Sequence, residues 1–407
     1  MRVLCVSAPL AGHLDWGGYL ATARELHNRG HTVAWASGAR VRRQVEQAGL
    51  AFIELKETGW RQRLPPPLTQ PNHIDPAARQ SARRLRALDQ WLDVRRVAAA
   101  VEELDAVIAA FGPDVILGEM FMAGAAIAAE KADCPFIVAG WPAPSESAAA
   151  VPIEPDSPLA AACARVDDLL TRFAVTGRNW TRHGPPMLCS PRLHLSYWSP
   201  GWFAGVAQGG QTRHVGGVAT PAKVPPEAWP VPYAAPWIFI TLGTTFNYDP
   251  NFFITAIRAT VQAGGQPILA LGRDANSRLR QALGDGLLAA CVVTETADFA
   301  ATLPYCAAAI HHGGAGTTHA LVVHGTPQIV VPHAGDQMRQ AQGVARTGCG
   351  YAIAPNQATL ANLSNALTNL LMKQSPLREE AAVLQQEFAE LGGVPRAADE
   401  IEREFKR

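Results

Sequence analysis

Residues 311–337 read H-H-G-G-A-G-T-T-H-A-L-V-V-H-G-T-P-Q-I-V-V-P-H-A-G-D-Q. A short apolar run, 307–311, leads into glycines at 313, 314 and 316, and then into a helical pattern. Backbone N–H groups from Gly314 to Thr317 would be the unpaired donors of that helix start, an anion site helped by the helix dipole. Glycine there lets phosphate oxygens approach the backbone. His312 can donate to a phosphate, and Thr317 adds a hydroxyl. Further on, Asp336 and Gln337 set a carboxylate beside an amide, a pair suited to sugar hydroxyls. A tight strand–helix turn would explain one glycine pair; it does not explain the whole string.

A second group lies near the N-terminus. Gly12-His13 follows the first apolar run, and a histidine there can take a proton from a hydroxyl because its ordinary pKa is near neutral. Such a base needs a carboxylate to fix its tautomer and stabilise the imidazolium. Asp15 is close in sequence; Glu119 ends a run, 115–119, that could lie beside the first.

The elements that must position these groups follow a repeated pattern. Runs at 2–8, 31–37, 50–55, 115–119 and 136–140 read as strands, with helices near 19–29, 39–48, 91–111 and 121–132 between them. Proline-rich 216–236 reads as a linker. The pattern restarts with strands at 237–242, 267–271, 291–293, 307–311 and 328–331 and helices near 251–263 and 315–324. The expected fold is two doubly wound, Rossmann-like α/β domains facing across a cleft. The expected domains are 1–215 for the acceptor, 237–385 for the nucleotide-sugar, and a helix over 386–407 crossing back to the first.

Composition supports two ordinary globular domains. The chain has 407 residues, 48% hydrophobic and 17% charged, with zero formal net charge. Such a balance does not favour nucleic acid as a partner. Seven widely spaced cysteines without C-x-x-C fit reduced thiols in the cytoplasm. No apolar run is long enough for a membrane span, and the N-terminus reads as a strand and not a signal peptide. The tryptophans at 60, 141, 180, 198 and 202 fall in irregular stretches, as core packing or as the wall of an apolar acceptor pocket.

The 311–337 string resembles the donor signature of UGT-like GT-B glycosyltransferases, V-x-H-x-G-x-G-T…G-x-P-x-x-x-x-P…D-Q. It is matched at Ile310, His312, Gly314, Gly316, Thr317, Gly325, Pro327, Pro332, Asp336 and Gln337. The resemblance implies that His312, Gly316 and Thr317 hold the diphosphate and that Asp336 and Gln337 hold the sugar. It implies that Gly243-Thr244, ending I-T-L-G-T-T, lies near the phosphates, and that His13 is the base. The family's orienting acid is Asp; here Glu119 stands in its place. Its W-x-P-Q element is absent, with Thr296 to Phe299 there instead.

The resulting expectation is an inverting transferase using a UDP- or TDP-sugar as co-substrate and a mostly apolar acceptor. No D-x-D triplet or ligand-spaced histidines occur, so no metal and no other cofactor is expected. Two other readings share the fold: a nucleotide-sugar 2-epimerase, and a non-catalytic partner of another enzyme.

Overall fold

The computed structural model describes residues 1–14, 17–61, 76–145, 153–155, 157–225, 229, 235–244, 248–273, 275–333 and 336–405, without the side chains of 76–79. Asp15 and parts of the 216–236 stretch (226–228 and 230–234) lie outside the described residues. The chain divides into two compact units. The first is Met1–Tyr197, Val206–Val215 and Val394–Arg407; the second is Trp198–Gly205 and Gly216–Gly393.

The first unit carries a seven-stranded sheet of β1 (Arg2–Val6), β2 (Thr32–Ser37), β3 (Ala51–Glu54), β4 (Val115–Glu119), β5 (Phe136–Gly140), β6 (Leu193–Ser196) and β7 (Thr212–His214). Its order is β3-β2-β1-β4-β5-β6-β7. The second unit carries β8 (Trp237–Thr241), β9 (Gln266–Ala270), β10 (Val292–Thr294), β11 (Cys306–His311), β12 (Gln328–Val330) and β13 (Gly350–Ala352), ordered β10-β9-β8-β11-β12-β13. All these ladders are parallel. Every residue of β4, β5 and β8 is buried, as in strands covered by helices on both faces. These are two separate doubly wound sheets, as the alternating pattern implies.

In both sheets the strand order reverses at one place: between β1 and β4, and between β8 and β11. Ligands in open parallel sheets bind at such switch points, beyond the carboxyl ends of the strands. The first reversal is locked by Tyr19 at the start of the Tyr19–Asn28 helix. Its buried hydroxyl accepts the Val6 N–H at 3.1 Å and donates to the Leu117 carbonyl at 2.7 Å, tying β1 to β4.

Some boundaries differ from the pattern reading. The helix expected near 91–111 is Val94–Phe111, because Asp93 caps it by accepting the Arg95 and Arg96 N–H groups. Trp91 instead closes the preceding helix, Pro76–Trp91. The stretch 386–407 is not one helix. Pro376–Glu390 ends before Gly392 and Gly393, both at positive φ, and Gly393–Phe405 is a separate element. No disulfide joins the seven cysteines. Among the described residues, no helix is long and apolar enough to cross a membrane.

Candidate functional site

After β1 the chain turns through the short Ala11–Leu14 helix, which carries His13. Glu119 is the last residue of β4, next to β1, with Val6 opposite Gly118. This adjacency brings His13 Nδ1 to 2.8 Å from Glu119 Oε1. The longer Glu side chain, where the resemblance has Asp, therefore reaches the imidazole. Glu119 is fully buried, and the same Oε1 accepts the Ala8 N–H at 2.8 Å. An oxygen that accepts from a backbone N–H makes Nδ1 the donor, which leaves Nε2 as the basic nitrogen of His13.

Aromatic rings surround the imidazole. Trp60 meets it edge-on at 5.0 Å and Phe121 lies at 5.8 Å. Trp91 extends the group from Phe121 at 6.0 Å, and Trp180 stacks on Trp91 at 6.4 Å. Trp60 and Trp180, among the sequence-selected tryptophans, are both buried in the core of the first unit, Trp60 directly against His13 and Trp180 against Trp91. Trp91 and Phe121 were not singled out; Phe121, two residues past Glu119, was the available signal. Trp198 and Trp202 do not belong to this group. They stack on each other at 4.5 Å in the second unit, with Trp198 edge-on to His319 and Phe388, so their role is packing. Trp141 is buried past the end of β5, its carbonyl facing His194 Nδ1 at 3.3 Å.

In the second unit the Ala315–Val323 helix starts directly behind β11. Gly314 is its N-cap in extended conformation, and no side chain caps the helix. Its first N–H groups, through Gly316 and Thr317, have no earlier turn of the helix to donate to. His312 is 8% exposed and wedged between glycines. A Cβ on Gly314 would lie 2.4 Å from His312 Nε2, and one on Gly243 would lie 2.7 Å from its Cε1. Gly243 also sits at φ +72 and donates its N–H to Thr241 Oγ1 at 3.0 Å. Thr244 follows as the last described residue of that turn.

Burial, then the charge of His333, pushes the His312 pKa down to about 4. Burial pushes its neighbour His311 to about 3. His311 is fixed on both sides, accepting the Gly313 N–H on Nδ1 at 3.1 Å and facing Gln328 Oε1 from Nε2 at 3.0 Å. Burial therefore favours the neutral form of both histidines.

Asp336 is the residue before the Gln337–Thr347 helix, and its carbonyl accepts the Arg339 N–H at 2.8 Å. Gln337 is buried and puts Oε1 on the His333 N–H at 2.7 Å. Its amide oxygen therefore holds its own loop. Phe299 is half-buried with its ring edge-on to Phe239 at 6.1 Å, as part of the core. Among the described residues, no group of three or more His, Cys, Asp or Glu could hold a metal ion.

Comparison with known proteins fits this layout. Residues 272–396 match the family model described as Erythromycin biosynthesis protein CIII-like, C-terminal domain. The L-demethylnoviosyl transferase of Streptomyces niveus is 28% identical over 406 residues, covering 96% of this chain and 94% of that one. Among solved structures, the glycotransferase of kitacinnamycin superposes with a TM-score of 0.76 at 22% identity, covering 99% of this chain and 98% of that one. Spinosyn rhamnosyltransferase SpnG complexed with thymidine diphosphate gives 0.71 at 19% identity, covering 99% and 100%. The paired parallel sheets and these neighbours define the GT-B fold. The named relatives and the matched C-terminal model make the chain a glycosyltransferase, similar to the UGT-like enzymes of that fold.

Proposed function

We propose that this enzyme moves a sugar from a UDP- or TDP-sugar to a hydroxyl of a mostly apolar natural product, with inversion and without a metal. The observation that carries the reading is the 2.8 Å contact between His13 Nδ1 and buried Glu119, which leaves Nε2 basic beside a wall of aromatic rings. An alcohol is a weak nucleophile at neutral pH, and a placed base typically contributes about 10²–10⁴-fold. His13 Nε2 takes the hydroxyl proton as the oxygen attacks the anomeric carbon opposite the leaving diphosphate. Glu119 stabilises the imidazolium that forms. The transition state is oxocarbenium-like, and one displacement inverts the centre. Charge on the leaving diphosphate is met by the start of the Ala315–Val323 helix, with Gly314, Gly316, Thr317 and His312 as donors. Asp336 and Gln337 take the donor sugar.

The apolar acceptor is supported by Trp60 and Phe121 against His13, and by the match to a family model named for erythromycin biosynthesis. Thymidine diphosphate in the spinosyn enzyme supports a nucleoside diphosphate donor. The same reading places the enzyme in the cytoplasm, where its thiols stay reduced. A thermal-shift panel of nucleotide-sugars tests it, because a ligand of the folded state raises the melting point. Stabilisation by UDP- or TDP-sugars and transfer in excess EDTA are expected. Absence of stabilisation by either class, or activity lost to EDTA and restored by magnesium, would overturn it.

A further inference from the structure

The base is carried by very little backbone. His13 sits on the single turn Ala11–Leu14, and a Cβ on the preceding Gly12 would meet nothing within 4 Å. Glu119 takes one ring nitrogen, and one hydrogen bond fixes a point of the imidazole but not its plane. Two other rings set the plane. Trp60 meets the imidazole edge-on with centroids 5.0 Å apart, Phe121 lies tilted at 5.8 Å, and the two are 5.4 Å from each other. Trp60 is 8% exposed, and its indole N–H has no hydrogen-bond partner among the described residues. Leaving a buried N–H unpaired costs stability, so stability alone does not call for an indole at this place.

Trp60 is itself strapped down. It lies in the irregular loop after β3, where each backbone N–H from Lys56 to Arg61 has an acceptor. Glu103 takes the Lys56 and Glu57 N–H groups at 2.8 and 3.0 Å. Glu57 takes those of Thr58 and Gly59, both at 3.0 Å, and its other oxygen takes the Arg96 guanidinium at 2.6 Å. Thr58 Oγ1 takes the Trp60 N–H at 3.4 Å, and the Gln90 carbonyl takes that of Arg61 at 2.8 Å. The Arg61 guanidinium pairs with Asp93, the N-cap of the Val94–Phe111 helix, and Arg96 and Glu103 lie on that same helix. A loop bonded this fully to one helix holds its side chains in place without regular structure of its own.

We propose that Trp60 is the positioning residue of the base: strapped to the Val94–Phe111 helix through Glu57, Glu103 and Arg61, it sets the plane of the His13 imidazole and keeps Nδ1 on Glu119 during transfer. Its effect on the rate runs through His13. This rests on His13 as the base proposed above.

The test compares kcat and donor KM for the wild type, Trp60→Phe, Trp60→Ala and Glu57→Gln. Beside these it follows the low-field proton NMR signal of His13 Nδ1–H, assigned by its loss in His13→Gln. Trp60→Ala should lower kcat about tenfold or more with donor KM within about twofold of wild type, because a misplaced base loses its advantage in rate. Trp60→Phe keeps a ring edge at the imidazole and should recover most of that loss. Glu57→Gln can still accept the Thr58 and Gly59 N–H groups but loses the ion pair with Arg96, so kcat should fall in the same direction by less. The Nδ1–H signal should persist in Trp60→Phe and vanish by exchange with water in Trp60→Ala, with the rest of the spectrum unchanged. A Trp60→Ala kcat within about threefold of wild type, a Trp60→Phe as slow as Trp60→Ala, or an Nδ1–H signal that survives in Trp60→Ala would overturn the proposal. If Trp60→Ala does not fold, Glu57→Gln decides, and a wild-type kcat there overturns it. If His13→Ala keeps wild-type turnover, the base reading itself fails, and this inference with it; a dead His13→Ala beside an unchanged Trp60→Ala sinks this inference alone.

Discussion

Replacing Glu119 by Gln isolates the charge in the proposed dyad. The amide oxygen can still accept the Ala8 N–H and His13 Nδ1–H, both at 2.8 Å in the native site, so the local fold and the histidine's orientation should persist. What is lost is the attraction between carboxylate and the imidazolium formed during transfer. Two unit charges about 4 Å apart in an effective dielectric of about 20 attract by ~4 kcal/mol. Glu119 is fully buried, but the His13 side chain is 15% exposed, so water screens part of this. Halving the figure leaves ~2 kcal/mol, about thirtyfold in rate. The assay is steady-state transfer to an alcohol acceptor, with kcat and donor KM measured separately. We expect kcat to fall by that factor while donor KM stays near the wild-type value, because Glu119 belongs to the acceptor side. His13→Ala should be more severe, about 10²–10⁴-fold, because it removes the base. A kcat for Glu119→Gln within threefold of wild type, beside a dead His13→Ala, would refute the carboxylate's role. A larger loss in Asp15→Asn than in Glu119→Gln would move that role to Asp15.

His312→Ala should weaken nucleoside diphosphate binding about three- to tenfold, the worth of a neutral hydrogen bond, as read by calorimetry; unchanged affinity would remove it from the phosphate site. Gly314→Ala should reproduce that loss without unfolding the chain, because its φ of −62 suits alanine while the new Cβ would strike His312 Nε2. The two changes combined should cost no more than one alone, and full additivity would show that they act separately. Stability should fall as pH drops below about 6.5. Burial holds His194, His311 and His312 at about 4, 3 and 4, below the ordinary 6.5, so the unfolded chain takes up protons there that the folded one refuses. At about pH 5 each such site costs about 2 kcal/mol relative to neutral pH, and His194→Gln should flatten the loss seen by chemical denaturation. An unchanged pH slope in that variant would contradict the assignment.

The strands that carry the site were legible because they are uninterrupted apolar runs with a turn behind them. V-I-L-G-E and F-I-V-A-G matched residue for residue, and the glycine string after Cys306–His311 announced its own helix start. β6, β7 and β13 were not found, since three or four residues such as Thr212–His214 carry no readable period. The pairing of His13 with Glu119 could be named only as one of two options. It depends on β1 lying beside β4, which a separation of 106 residues between the two side chains does not reveal. The tryptophans mislead because indole suits both a core and a pocket. Only the fold sorts Trp60 to the core beside His13, Trp180 to the same core, and Trp198 and Trp202 to packing in the second unit.

The most direct test of base-assisted single displacement is the anomeric configuration of the transferred sugar. The wild type is incubated in excess EDTA with a TDP- or UDP-sugar of known anomeric configuration and an apolar alcohol acceptor. The glycoside formed is then examined by the one-bond carbon–proton coupling at its anomeric centre. A product of opposite configuration to the donor is what in-line attack by an oxygen deprotonated at His13 Nε2 requires. A product that keeps the donor's configuration would contradict the single displacement and the role assigned to His13 in it.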